Sequence, residues 1–181
     1  MNAMSEVDRQ SAEAVLMIRP ARFGANPETA DSNRFQQGGA DAGAADAARR
    51  EFDGLVSRLR AAGVDVHVAD DTATPSKPDA CFPNNWVSFH ADGSVVLYPL
   101  MAPSRRAERR EAPIEQLREA GFRVTGTIDL SHFEARGEFL EGTGSLVLDR
   151  CHRVAYACIS PRTTKAALAD FSSRLGYRVV T

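Results

Sequence analysis

The sequence has no run of about 18 uninterrupted apolar residues, so no transmembrane helix is expected. It also lacks charge of one sign. The 22 Lys and Arg against 24 Asp and Glu give a net charge of −2, spread along the chain, with no electrostatic case for nucleic acid or an anionic membrane. Cysteine is scarce: Cys81, Cys151 and Cys158 are an odd number without metal-ligand spacing. That excludes a disulfide framework and a zinc module, and fits free thiols in a reducing compartment, with the cytoplasm as the expected location. No glycine-rich phosphate loop follows a strand, so neither a nucleotide nor any other cofactor is expected. Met1 to Gln10 is polar and acidic where a secretion signal would be basic and then apolar.

The hydrophobic share of 43% is enough for one domain with a core of its own. Residues 1–13 read as a disordered leader and 14–181 as the folded part. Val15-Leu16-Met17-Ile18 is a short strand stopped by Arg19-Pro20, and Ala21 to Ala45 is a long loop of the kind that often carries function. Phe52, Leu55, Val56 and Leu59 recur at spacings of three and four, which predicts a helix from Ala45 to Ala62. Gly63 stops it, and Val64 to Val68 alternates as a strand. The four arginines Arg105, Arg106, Arg109 and Arg110, interrupted by Glu108, read mostly as a solvated helix approach.

The helix–glycine–strand unit recurs. Glu115 to Ala120 leads through Gly121 into Phe122-Arg123-Val124-Thr125, and Leu168 to Leu175 leads through Gly176 into Tyr177 to Val180. Before each lies a hairpin: Trp86 to Phe89 and Val95 to Tyr98 in one, Ser145 to Leu148 and Val154 to Ala157 in the next, offset by a constant 59 residues. Pro103, Pro113 and Pro161-Arg162-Thr163 are read as helix entries. The result is a tandem α/β array of strand–strand–helix–strand modules. A module cannot bury both faces alone, and the last one ends at Thr181 without a cap. A larger parent fold, or a homo-oligomer through the open module edge, is expected.

Two segments combine an acid with amides or glycines at equivalent strand entries: Pro78-Asp79-Ala80-Cys81-Phe82-Pro83-Asn84-Asn85-Trp86 and Phe139-Leu140-Glu141-Gly142-Thr143-Gly144-Ser145. Equivalent strand ends of repeated modules lie near one another, which would bring Asn85 toward Glu141. Each segment also admits a plainer reading, as a turn that satisfies its own backbone and as a glycine bend with Glu141 in solvent.

These segments, with Met17 to Pro20, Glu28 to Asn33, Val87-Ser88-Phe89 and Met101 to Arg106, resemble the amidinotransferase-related branch of the guanidine-modifying superfamily, from about Val15 to the end. That superfamily holds arginine deiminases, dimethylarginine dimethylaminohydrolases and amidinotransferases, and the likeness is greatest to its citrulline-hydrolysing members. The resemblance implies a pentein-type α/β propeller of five ββαβ modules, of which about three are present. It implies a thiol nucleophile assisted by a histidine and a glutamate, and it places that glutamate at Glu141. Asp79, Asn84 and Asn85 would grip the planar head group, and Arg105 and Arg162 the α-carboxylate of a small amino-acid substrate.

Asn84-Asn85 stands where dimethylarginine-type members carry Glu-Asp. An amide both donates and accepts, which suits a neutral ureido group better than a donor-only guanidinium, so citrulline is favoured over arginine. None of the three cysteines occupies the family's nucleophile position, and the histidine is expected beyond Thr181. Among His67, His90, His132 and His152, only His132 beside Glu134 resembles a dyad. The chain is therefore read as the N-terminal segment of a C–N hydrolase, inactive alone. The alternatives are an amidinotransferase or a non-catalytic ligand-binding remnant.

Overall fold

The computed structural model describes residues 9–30 and 43–181, which form two compact units. The first unit comprises Glu13–Pro83 and Ala102–Gln116; the second comprises Asn84–Met101 and Leu117–Thr181, together with the residues up to Ala12.

In the first unit, β1 (Ala14–Arg19) and β2 (Asp65–Asp70) pair in parallel, Ala14 opposite Asp65 and Arg19 opposite Asp70. Between them runs α1 (Ala44–Ala61), within one residue of the expected helix. Gly63 adopts φ +84°, and that left-handed residue turns the helix end into β2. Ile18, Ala69 and Ala80 form a small core with Leu16 against it. A short helix, α2 (Pro103–Arg106), starts with Pro103 in its first turn, as expected. Of the long loop, residues 31–42 lie outside the described residues.

The second unit holds two copies of one topology. β3 (Val87–Phe89) pairs antiparallel with β4 (Ser94–Leu97), and β4 pairs parallel with β5 (Gly126–Asp129); the helix α3 (Ala112–Glu119), whose residues up to Gln116 belong to the first unit, comes between β4 and β5 in sequence. The one-turn helix α4 (Gly142–Ser145) then introduces β6 (Leu146–Asp149), antiparallel to β7 (Val154–Ala157). α5 (Lys165–Leu175) leads into β8 (Arg178–Val180), parallel to β7. The central strands are the most apolar, and Val95, Val96, Val154 and Ala155 are buried. One core joins the two sheets through Val96, Tyr98, Leu130, Leu140, Leu146, Phe171 and Tyr177. The Phe171 ring sits 6.1 Å from Tyr98 and 5.6 Å from Tyr177, within the range of aromatic pairing.

Three expectations are corrected. Phe122 to Thr125 is not a strand: Phe122 N–H closes the end of α3 on Leu117, and Thr125 is held by the Gly93 carbonyl, so β5 begins four residues later. Pro161 does not open a helix, because α5 starts at Lys165 after Thr164. Of the leader, residues 1–8 lie outside the described residues, whereas Gln10 is tied to the β6–β7 hairpin, donating to Leu148 O at 2.9 Å and accepting from Arg150 N at 2.9 Å. No helix among the described residues is long and apolar enough to cross a membrane.

Phe171 is fully buried between the two tyrosines. Phe171→Ala should therefore lower unfolding stability by about 3–5 kcal/mol, seen as a lower urea midpoint.

Candidate active site

In the second unit, the peptide from Glu141 to Ser145 turns back so tightly that Gly142 takes φ +36°. A Cβ on Gly142 would lie 2.2 Å from the Asn84 carbonyl oxygen, and one on Gly144 would lie 2.7 Å from the Asn85 side-chain nitrogen. Gly142 is what lets this turn rest against the main chain of the Asn84-Asn85 turn, and Gly144 leaves room for the Asn85 side chain. Asn84 Nδ2 donates to Thr143 Oγ1 across the contact and to Asn85 Oδ1 at 3.2 Å.

Glu141 is only 1% exposed, so the solvated-bend reading does not hold. Its Oε1 accepts Met101 N–H at 3.0 Å. Its Oε2 accepts Asn85 Nδ2 and Arg162 Nη1, both at 3.4 Å. A single hydroxyl ties the surrounding main chain together. Ser145 Oγ accepts Glu141 N–H at 2.9 Å and the Thr163 hydroxyl at 2.8 Å, and donates to the Arg162 carbonyl at 2.8 Å. Four of the six residues singled out from sequence, Asn84, Asn85, Glu141 and Arg162, thus lie together. The arrangement presents a buried carboxylate, two amides and a half-exposed guanidinium, which can bind a planar donor–acceptor group.

Asp79 and Arg105 belong to the first unit and meet there. Arg105 is buried and forms a fork with Glu108, Nε to Oε1 at 3.0 Å and Nη2 to Oε2 at 2.9 Å, with Asp79 Oδ2 at 3.8 Å from Nε. This corrects the solvated reading for Arg105: Glu108 at i+3 is its buried partner. Asn26, which the sequence reading passed over, is 1% exposed and joins the group, donating to Asp79 Oδ2 at 2.8 Å and Ser104 Oγ at 3.1 Å. The loop that carries Asp79 is pinned by buried Lys77, which bonds Thr72 and Pro75 carbonyls and pairs with Asp71 at 3.1 Å. Burial pushes the Glu108 carboxyl up to about 7, against the opposing pull of Arg105.

The thiols offer no activated nucleophile. Burial, then the Asp79 charge, pushes Cys81 up to about 11, so it is protonated at neutral pH. Cys151 and Cys158 are exposed, in the β6–β7 turn and just after β7. His132 and Glu134 do not form a dyad: the imidazole stacks on Phe133, and Glu134 Oε1 accepts Leu100 N–H at 2.8 Å. Among the described residues, no His, Cys, Asp and Glu cluster could hold a metal.

The family described as "N,N dimethylarginine dimethylhydrolase, eukaryotic" matches residues 19–181. No curated protein sequence matches the chain. Among solved structures, the N-terminal domain of ArgZ, an arginine dihydrolase from the ornithine-ammonia cycle in Cyanobacteria, is similar in its product-bound form. The identity is 19%, the TM-score 0.65, and 92% of this chain and 56% of that one are covered. A dimethylarginine dimethylaminohydrolase variant bearing an S-methyl-L-thiocitrulline adduct is similar at 18% identity and a TM-score of 0.62, over 92% of this chain and 60% of that one. Unliganded AgrE is similar at 20% identity and a TM-score of 0.59, over 85% of this chain and 21% of that one. The chain therefore spans little more than half of the first two. The likenesses establish a pentein-type α/β fold, here with two complete ββαβ modules and one strand–helix–strand portion.

Two measurements test this geometry. Gly142→Ala meets main chain and strains φ, and should cost more than about 3 kcal/mol. Gly144→Ala meets only the end of a side chain, and should stay within about 1 kcal/mol of the parent while shifting the Asn85 side-chain amide NMR signals. Separately, a carboxyl raised from 4.5 to about 7 keeps its proton longer folded than unfolded. Stability should fall as pH rises through that interval, by about 3 kcal/mol from this group. Urea titrations across pH should show that slope flattened in Glu108→Gln.

Proposed function

The chain belongs to the eukaryotic N,N-dimethylarginine dimethylhydrolase family, and on that premise we propose that it supplies the substrate-gripping part of a C–N hydrolase acting on the ureido or guanidino group of an amino acid, citrulline foremost. The observation that carries this reading is the Glu141 carboxylate, buried and turned toward Asn85 and Arg162. A buried carboxylate with exchangeable donors accepts the N–H groups of a planar head group. Asn85 and Asn84 supply an acceptor as well as donors, which a ureido oxygen and its N–H groups both use.

In the proposed reaction a thiolate attacks the ureido carbon, and the bond from that carbon to the side-chain nitrogen breaks as a histidine protonates the leaving amine, which departs as ornithine. Water then hydrolyses the S-carbamoyl intermediate to carbamate and free thiol. Glu141 holds the head group in line for that attack. The thiol and the histidine are assigned to sequence outside these 181 residues. Arg162 is proposed for the α-carboxylate. Asp79 and Arg105 are proposed for the same substrate on the strength of the sequence resemblance. For Arg105 that role requires giving up part of its fork with Glu108.

A second reading, ligand binding without catalysis, is favoured by the thiols: Cys81 holds its proton, Cys151 lies in the β6–β7 turn and Cys158 just after β7. An amidinotransferase, passing the intermediate to an amine in place of water, remains the third, and added glycine as acceptor tests it.

Titration calorimetry of the chain with L-citrulline and L-arginine should give citrulline the tighter binding, by about tenfold. Clear preference for arginine would overturn the ureido assignment. Glu141→Gln should weaken citrulline binding by at least that much, and unchanged affinity would remove Glu141 from the grip.

A further inference from the structure

The two oxygens of Glu141 are held very differently. Oε1 is fixed by a main-chain N–H at 3.0 Å. Oε2 is shared between Asn85 Nδ2 and Arg162 Nη1, each at 3.4 Å, near the outer limit for a hydrogen bond. One oxygen is tethered and the other is loosely claimed.

Arg162 has the matching asymmetry. Its main chain is anchored, because its carbonyl accepts the same Ser145 hydroxyl that accepts Glu141 N–H, and its own N–H meets Ser160 Oγ at 3.3 Å. Its side chain is 29% exposed, against 2% for that of Glu141. The backbones of the two residues are thus fixed to each other, while the guanidinium is the more exposed partner of the pair. That guanidinium is also a chemical likeness of the head group the site is proposed to bind. It stands where a ligand's N–H donors would go.

Resting on the substrate reading above, we propose that Arg162 is an exchangeable counter-ion of Glu141, which makes the ligand's α-carboxylate a condition of head-group binding. Glu141 is too buried to be left without N–H donors, and Arg162 loses its carboxylate partner on leaving Oε2, so the exchange is favourable only when both are provided for. A ligand with both ends provides for both: its carboxylate takes the Arg162 fork and its N–H groups take Oε2. A ligand with the head group alone must pull Arg162 off Glu141 and leave it without a carboxylate. The pair therefore rejects ureido and guanidino compounds that are not amino acids.

The test compares L-citrulline with n-butylurea, which carries the same head group, no carboxylate and no charge. Binding to the full chain is measured for the parent protein and Arg162→Met. In the parent, n-butylurea should bind at least about tenfold more weakly than citrulline. In Arg162→Met, citrulline should weaken, whereas n-butylurea should tighten by about tenfold over its parent value, because Oε2 is no longer claimed. An Arg162 that only clamps carboxylate leaves n-butylurea binding unchanged, and that result overturns the proposal while sparing the substrate reading. If Arg162→Met does not fold, Arg162→Gln, which also removes the cation, is read the same way, and no gain for n-butylurea overturns the proposal. If neither ligand binds the parent, the substrate reading fails and the exchange falls with it.

Discussion

The site depends on one close approach of main chain to main chain. The Asn84 carbonyl lies where any side chain on Gly142 would have to be, 2.2 Å from an ideal Cβ. Because that space is left empty, the Asn84-Asn85 turn and the Glu141–Ser145 turn share a face, and Asn85 reaches the Glu141 carboxylate. The Ser145 hydroxyl then fixes the spacing on the other side, joining Glu141 N–H to the Arg162 carbonyl. Each polar group near Glu141 is placed by main chain or by a short side chain, which loses little rotamer entropy on ordering. Among the described residues, only Arg162 brings a long side chain to the carboxylate, at 3.4 Å.

The module repeat was legible because a constant offset needs no structural knowledge: β3 and β6 begin at Val87 and Leu146, and the β4 and β7 cores match in the same way. Strand limits were less legible. Phe122 to Thr125 alternates as a strand would, yet those residues are used to close α3 and to round the Gly93 turn. Local pattern cannot report which carbonyl, many residues away, claims an N–H.

The meeting of Asn85 with Glu141 could be anticipated because both stand at equivalent strand entries. Asn26 could not be. It is one polar residue in a loop rich in small residues, and its partners Asp79 and Ser104 lie 53 and 78 positions away. Arg105 shows the opposite failure. Its neighbours in sequence are charged, so it read as a surface residue, whereas Glu108 one turn on accepts its guanidinium in a buried fork inside the first unit. Repetition along the chain carries backbone information well, but it does not report which charges are buried in pairs.

The uneven surroundings of the three sulfurs have a practical result. At neutral pH an alkylating or fluorescent maleimide reagent meets Cys151 and Cys158 in the open, while Cys81 is half-buried and holds its proton to about pH 11. Both accessible sulfurs lie in the second unit, flanking β7. A dye attached without any engineering is therefore carried by the β6–β7 hairpin and senses the environment of that hairpin.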